Sequence, residues 1–227
     1  MGQESAKKAA AKGAAKLIES KMIVGLGSGS TAAFFIEALA HRAQTENLQI
    51  KAAVASSRRS AELGERLGLP IQDLNDICRV DLTVDGADEI DPEKRLIKGR
   101  GGAHVREKIL AAASSEMIVI ADETKLVDRL GVGVLPVEIV GFGAPATRMK
   151  VEDLGYKCAW RQNPDGSLYL SDNGNLLLDL SFEAPLSHPE AVQEELIHLP
   201  GVVDTGFFFQ LAGRILIGYP NGSFEVR

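Results

Sequence analysis

The stretch VGLGSGSTAAFFIEAL, residues 24–39, sets three glycines and three hydroxyls between an apolar run and an alanine-rich helix. Glycines let backbone approach a ligand closely, and a helix start offers unpaired N–H groups to an anion. Two common phosphate loops fail against it. The dinucleotide pattern G-x-G-x-x-G accepts Gly25 and Gly27 but would need its last glycine at Ser30. The P-loop pattern needs a lysine after its second glycine, and none stands there. Two readings remain at this point: a phosphate cradle of another kind, or a tight strand-to-helix turn capped by Ser28 or Ser30.

Working outward, apolar strands alternate with helical patterns up to about residue 130. MIVGL (22–26), IKAAVA (50–55), DLTVDG (81–86) and EMIVIAD (116–122) read as strands, and ETKLVDRLG as a short helix. Such alternation predicts a parallel sheet covered by helices. After Leu130 the order becomes strand, helix, strand, strand, helix, strand, the split-βαβ order of a small α+β unit. In that region SLYLSD and NLLLDLSF read as a hairpin pair and GVVDTGFFF as one strand. The expected fold is α/β. A Rossmann-like catalytic domain takes residues 1–130 plus 207–227, and a ferredoxin-like lid or oligomerisation domain takes residues 131–206.

The chain has 227 residues, a net charge of −6 and two isolated cysteines. That charge gives no general attraction to nucleic acid or to an anionic membrane. There is no apolar run of membrane-spanning length, and MGQESAKKAAAKGAAK lacks the apolar core of a signal peptide. A cytoplasmic protein without nucleic-acid or membrane partners is the expectation.

Three clusters follow predicted strands, the ligand-binding edge of an open α/β sheet. The first is the opening loop. The second, VDGADEID, gathers Asp85, Asp88, Glu89 and Asp91, which repel one another unless solvated, paired or bound to magnesium or calcium. Its spacing matches no EF-hand. The third, KGRGGAHVREK, places Lys98 before Gly99, Gly101 and Gly102, whose N–H groups can line a helix start. Glu107 lies about one turn inside that helix, flanking a Val105/Ile109/Leu110 stripe. There it either faces a cavity, where partial burial raises a carboxyl pKa, or pairs at the surface with Arg106 or Lys108. Lys125 adds a cation at the same edge. His41, His104, His188 and His198 share no ligand spacing and read as surface or structural residues. The set suits a phosphorylated sugar and proton transfer, without metal or nicotinamide.

These stretches resemble the type A ribose-5-phosphate isomerases over nearly the whole chain. The carriers are GLGSGSTAAFFIEAL, the serine pair 56–57, DLTVDGADEID, KGRGGAHVREKIL, IVIADETKLVDRLG, LPVEI, SDNGNLLLDL and LPGVVDTGFF. The resemblance implies an aldose–ketose isomerase acting on ribose 5-phosphate and ribulose 5-phosphate in the pentose phosphate pathway, with no cofactor and no metal. It implies that Ser28, Gly29, Ser30 and Thr31 hold substrate, the last two toward its phosphate, with Lys7 nearby. Asp85 and Asp88 would bind sugar hydroxyls and assist ring opening, with Gly86 and Ala87 between them at the substrate. Lys98 would stabilise the enediolate, Glu107 would be the base, and Gly99, Arg100, Gly101 and Lys125 would touch substrate. A homodimer or homotetramer is the implied assembly. Arg100 departs from the family's frequent glycine, and Arg58-Arg59 follow the serine pair where smaller or acidic residues occur. The alternative from another class is a non-catalytic sugar-phosphate sensor, which would not need the intact set Asp85, Asp88, Lys98 and Glu107.

Overall fold

A computed structural model describes residues 2–227. In chain order its elements are α1 (Gly2–Ala15), β1 (Ile23–Leu26), α2 (Gly29–Thr45), β2 (Ala52–Ala55), α3 (Arg58–Arg66), β3 (Val80–Gly86), β4 (Glu89–Ile90), β5 (Leu96–Ile97), α4 (His104–Ala112) and β6 (Ser114–Asp122). There follow β7 (Leu135–Ile139), α5 (Ala144–Asp153), β8 (Lys157–Trp160), β9 (Leu176–Ser181), α6 (Pro189–Ile197), β10 (Val202–Thr205), β11 (Phe207–Phe208), β12 (Ala212–Gly218) and β13 (Phe224–Val226). None of the helices is long and apolar enough to cross a membrane among the described residues.

The chain forms two compact units. Among the described residues the first holds 2–87, 106–125 and 210–227; the second holds 88–105 and 126–209. This division differs from the expected boundary at residue 130, because the acidic and glycine-bearing segment 88–105 folds with the later residues.

In the first unit a six-stranded sheet runs β13-β12-β6-β3-β1-β2. Every pairing is parallel except β12 with β13. Strand alternation feeds two cores. Val24, Leu26 and Ala53 pack with α1 and α2, while Ile23 and Val54 pack with Val80 and Leu110 of α4. The small buried face of α1 (Ala6, Ala10, Ala14 among others) lets it lie close on β6 and β12. A Cβ on Gly218 would meet the Ala6 carbonyl oxygen at 1.8 Å. Because the obstacle is helix backbone, Gly218→Ala should cost about 3 kcal/mol, the upper end for overpacking. Thermal unfolding should show a Tm lower by roughly 6–12 °C; an unchanged Tm would mean that α1 sits less tightly.

The second unit contains the expected split-βαβ order. The elements run β7, α5, β8, β9, α6 and β10, and the four strands form an antiparallel sheet ordered β10-β7-β9-β8 over a core of Leu135, Val137, Ile139, Val151, Leu178, Leu180 and Leu196. Three local readings change. ETKLVDRLG forms only a 3-10 turn at Glu123–Lys125. SLYLSD contributes isolated bridges rather than a ladder, so β9 pairs with β7 and β8 instead. GVVDTGFFF breaks at Gly206, where β10 joins one sheet and β11 a three-stranded one, β11-β5-β4. A Cβ at Gly206 would meet the Lys98 carbonyl at 2.3 Å, and Lys98 N–H donates to the Gly206 carbonyl at 2.9 Å.

Candidate active site

The large sheet reverses its winding between β1 and β3: β2 follows on one side, and β6 and β12 continue on the other. The carboxyl ends of the strands flanking such a switch point form the ligand-binding crevice of doubly wound sheets. Two of the three sequence clusters begin there.

After β1, Gly27 N–H donates to the Val84 carbonyl at 2.9 Å. Asp85 Oδ1 accepts from Ser28 N–H at 2.9 Å and Gly86 N–H at 2.7 Å. A Cβ on Gly27 would lie 2.1 Å from that oxygen, so glycine is required for the approach. Ser28 is the N-cap residue of α2, yet its hydroxyl makes no capping bond and pairs with Ser56 Oγ at 2.8 Å. Ser60 Oγ donates to the Gly27 carbonyl at 2.7 Å. Gly29 takes φ +87° to start the helix. Lys7 Nζ donates to Ser30 Oγ at 3.2 Å, and Thr31 stands beside Gly86. The first unit thus brings Lys7, Ser28, Ser30, Thr31, Asp85 and Gly86 together around a helix N-terminus that carries no acidic residue in its first turn. The arrangement suits a dianion. Lys125 sits half-buried in the turn after β6, held by Thr124 N–H donating to Asp122 at 3.1 Å.

Glu107 stands in the first turn of α4 and is 4% exposed. Ala103, His104, Glu107, Leu110 and Ala111 are all buried, which traces one face at helical spacing. The surface-glutamate alternative is thereby removed. The expected stripe is altered, since Ile109 points outward at 54% exposure. His104 is fully buried, not at the surface, with its Nε2 3.4 Å from the Asp204 carbonyl.

In the second unit the acidic cluster separates by role. Buried Glu89 accepts from the N–H groups of Gly131 (2.7 Å), Val132 (3.2 Å) and Gly133. Buried Asp91 accepts from Arg95 Nε at 2.6 Å and from the N–H groups of Glu93 and Arg95. Both are spent on loops. Among the described residues no group of three or more His, Cys, Asp or Glu is placed to hold a metal ion. Asp88, half-buried, accepts from Arg100 N–H at 3.0 Å. Lys98 is 3% exposed, with its ammonium 5.3 Å from the centre of the Phe208 ring. Gly99 takes φ +104°, and the Gly102 N–H closes the turn onto the Gly99 carbonyl at 2.9 Å. The Arg100 side chain, 43% exposed, turns toward Glu89 at 3.7 Å. Sequence reading of the residues missed Ser60, Arg161 and Tyr169, whose roles consist of contacts with loops distant in sequence.

The description Ribose 5-phosphate isomerase A (phosphoriboisomerase A) belongs to the family model that matches residues 52–222. Ribose-5-phosphate isomerase A of Protochlamydia amoebophila is 49% identical over 221 residues, covering 97% of this chain and 94% of that protein. A D-ribose-5-phosphate isomerase solved in complex with phospho-erythronic acid shares 34% identity and a TM-score of 0.94, covering 100% of this chain and 99% of that one. The ribose 5-phosphate isomerase from Plasmodium falciparum shares 32% identity and a TM-score of 0.93, covering 99% and 98%. On the family match and the near-complete coverage, the chain belongs to the ribose 5-phosphate isomerase A family and is an isomerase.

Proposed function

We propose that this chain interconverts D-ribose 5-phosphate and D-ribulose 5-phosphate through a cis-enediolate, in the non-oxidative pentose phosphate pathway of the cytoplasm. The observation that carries the reading is the burial of Glu107 on the inner face of α4. A carboxylate there would not be retained for solubility, and moving a carbonyl between C1 and C2 needs one base that reaches both carbons. Ser28, Gly29, Ser30 and Thr31 hold substrate, the last two toward its phosphate with Lys7 nearby. Asp85 and Asp88 bind hydroxyls and assist ring opening, with Gly86 and Ala87 beside them. Lys98, with the N–H groups of Gly99 and Gly101, stabilises the enediolate oxygen, and Arg100 and Lys125 contact substrate. No metal or other cofactor enters these steps.

The test is a coupled ribose 5-phosphate isomerisation assay run with a chelator. Full activity is expected; loss restored by magnesium would recast the acidic residues as ligands. A sensor, the alternative, would bind the sugar phosphate without turnover. The assembly is a homodimer or homotetramer, and a clean monomer by light scattering at micromolar concentration would refute that.

Thr31→Val should raise KM with little change in kcat, because a phosphate contact persists through ground and transition states. An unchanged KM with reduced kcat would contradict the role given to this loop.

A further inference from the structure

Arg161 follows β8, and its side chain reaches both a strand partner and the glycine loop. Its Nε donates to Asp179 Oδ2 on β9 at 2.9 Å, and its Nη2 donates to the other carboxylate oxygen. The remaining nitrogen, Nη1, donates to the carbonyls of Gly99 at 2.8 Å and Arg100 at 3.1 Å. The side chain is 12% exposed. Tyr169 takes the next carbonyl, that of Gly101, at 3.2 Å. Three successive carbonyls of the loop are therefore held by side chains of the segment 161–169.

A peptide is planar and trans, so fixing its carbonyl fixes the N–H on its opposite side. The Gly99 carbonyl and the Arg100 N–H belong to one peptide. The first accepts from Arg161, and the second donates to Asp88 Oδ2 at 3.0 Å. A hydrogen-bonded line thus runs from the Asp179 carboxylate through the guanidinium and one peptide to Asp88. A cation on the carbonyl polarises that peptide and strengthens its N–H as a donor. In the neighbouring peptide the Arg100 carbonyl is held the same way, which directs the Gly101 N–H away from the guanidinium.

We propose that Arg161, backed by Asp179, is a positioning residue that sets Asp88 for its contact with the sugar by way of the glycine-loop backbone. This rests on the reading of Asp88 as a substrate-binding carboxylate. Only arginine suits the place. Its rigid fork holds a carboxylate with two donors while a third reaches the carbonyls, and a lysine ammonium cannot span both.

The test is a double-mutant cycle between Arg161→Lys and Asp88→Asn, read in kcat and KM for ribose 5-phosphate and in Tm. Arg161→Lys should keep Tm within a few degrees and lower kcat/KM about 10- to 100-fold, the range seen when a residue orienting a metal ligand is lost. In the Asp88→Asn background the same change should cost no more than about threefold, because the carboxylate that it orients is already gone. Losses that multiply, or near-parent kinetics for Arg161→Lys, would overturn the proposal. If Arg161→Lys does not fold, Asp179→Asn enters the same cycle with the same two outcomes. Parent protein that never turns over ribose 5-phosphate would instead sink the functional reading itself.

Discussion

Glu107→Gln should lower turnover of ribose 5-phosphate by about 100- to 10,000-fold while leaving sugar-phosphate binding in place. The substitution keeps the shape of a side chain that is 4% exposed, so the buried face of α4 stays filled. What it removes is the proposed proton acceptor. Binding of phospho-erythronic acid should survive, because Lys7, Ser30, Thr31 and Asp85 are untouched. Exchange of the substrate's C2 hydrogen with deuterated water should stop, since exchange requires the same proton removal. If the variant still isomerises and exchanges at close to the parent rate, the base lies elsewhere, and Asp85 becomes the next candidate.

Lys98→Met should cost about 100- to 1,000-fold in kcat, the usual loss when one donor to a developing oxyanion is removed. Methionine fills similar volume over the Phe208 ring without the charge that the parent residue holds there. On the proposed mechanism the negative charge at the C1 and C2 oxygens develops only at the enediolate, not in the bound sugar, so KM should change far less than kcat. Phospho-erythronic acid carries a carboxylate at the end away from its phosphate. Its affinity should fall with kcat rather than follow KM. Parent-like kcat, or an analogue affinity that does not move, would take Lys98 out of the charge-stabilising role.

Much of this arrangement is legible in the residues, for physical reasons that differ by region. The alternation of strand and helix was readable because parallel strands buried on both faces show as short apolar runs such as MIVGL and EMIVIAD. The split-βαβ order after residue 130 was readable for the same periodicity. Gly206 was not readable as a break, because what stops the strand is the Lys98 backbone, more than a hundred residues earlier. The two-residue strands β4 and β5 lie below the length at which any pattern forms. Four carboxylates in VDGADEID look equivalent in sequence. Only the backbone N–H groups of Gly131 to Gly133 and the Arg95 guanidinium show that Glu89 and Asp91 serve loops. Ser28 looked like a cap, but its hydroxyl pairs with Ser56 Oγ, a partner 28 positions away that no local pattern announces.

The interleaving of the two units has a consequence for synthesis on the ribosome. β12, residues 212–218, pairs with β6, and Arg214 Nη2 reaches Glu116 at 2.7 Å across 98 positions of chain. Neither unit is a continuous segment, so the order in which residues emerge is not the order in which the sheet completes. Until residues 212–218 are made, β6 is an open parallel edge rich in Ile and Val, the kind of surface that recruits other chains. High contact order and a late-arriving strand together make for slow, post-translational closure of the large sheet. On a growing chain that edge therefore stays uncovered for a longer part of synthesis than any edge in a fold built from consecutive hairpins.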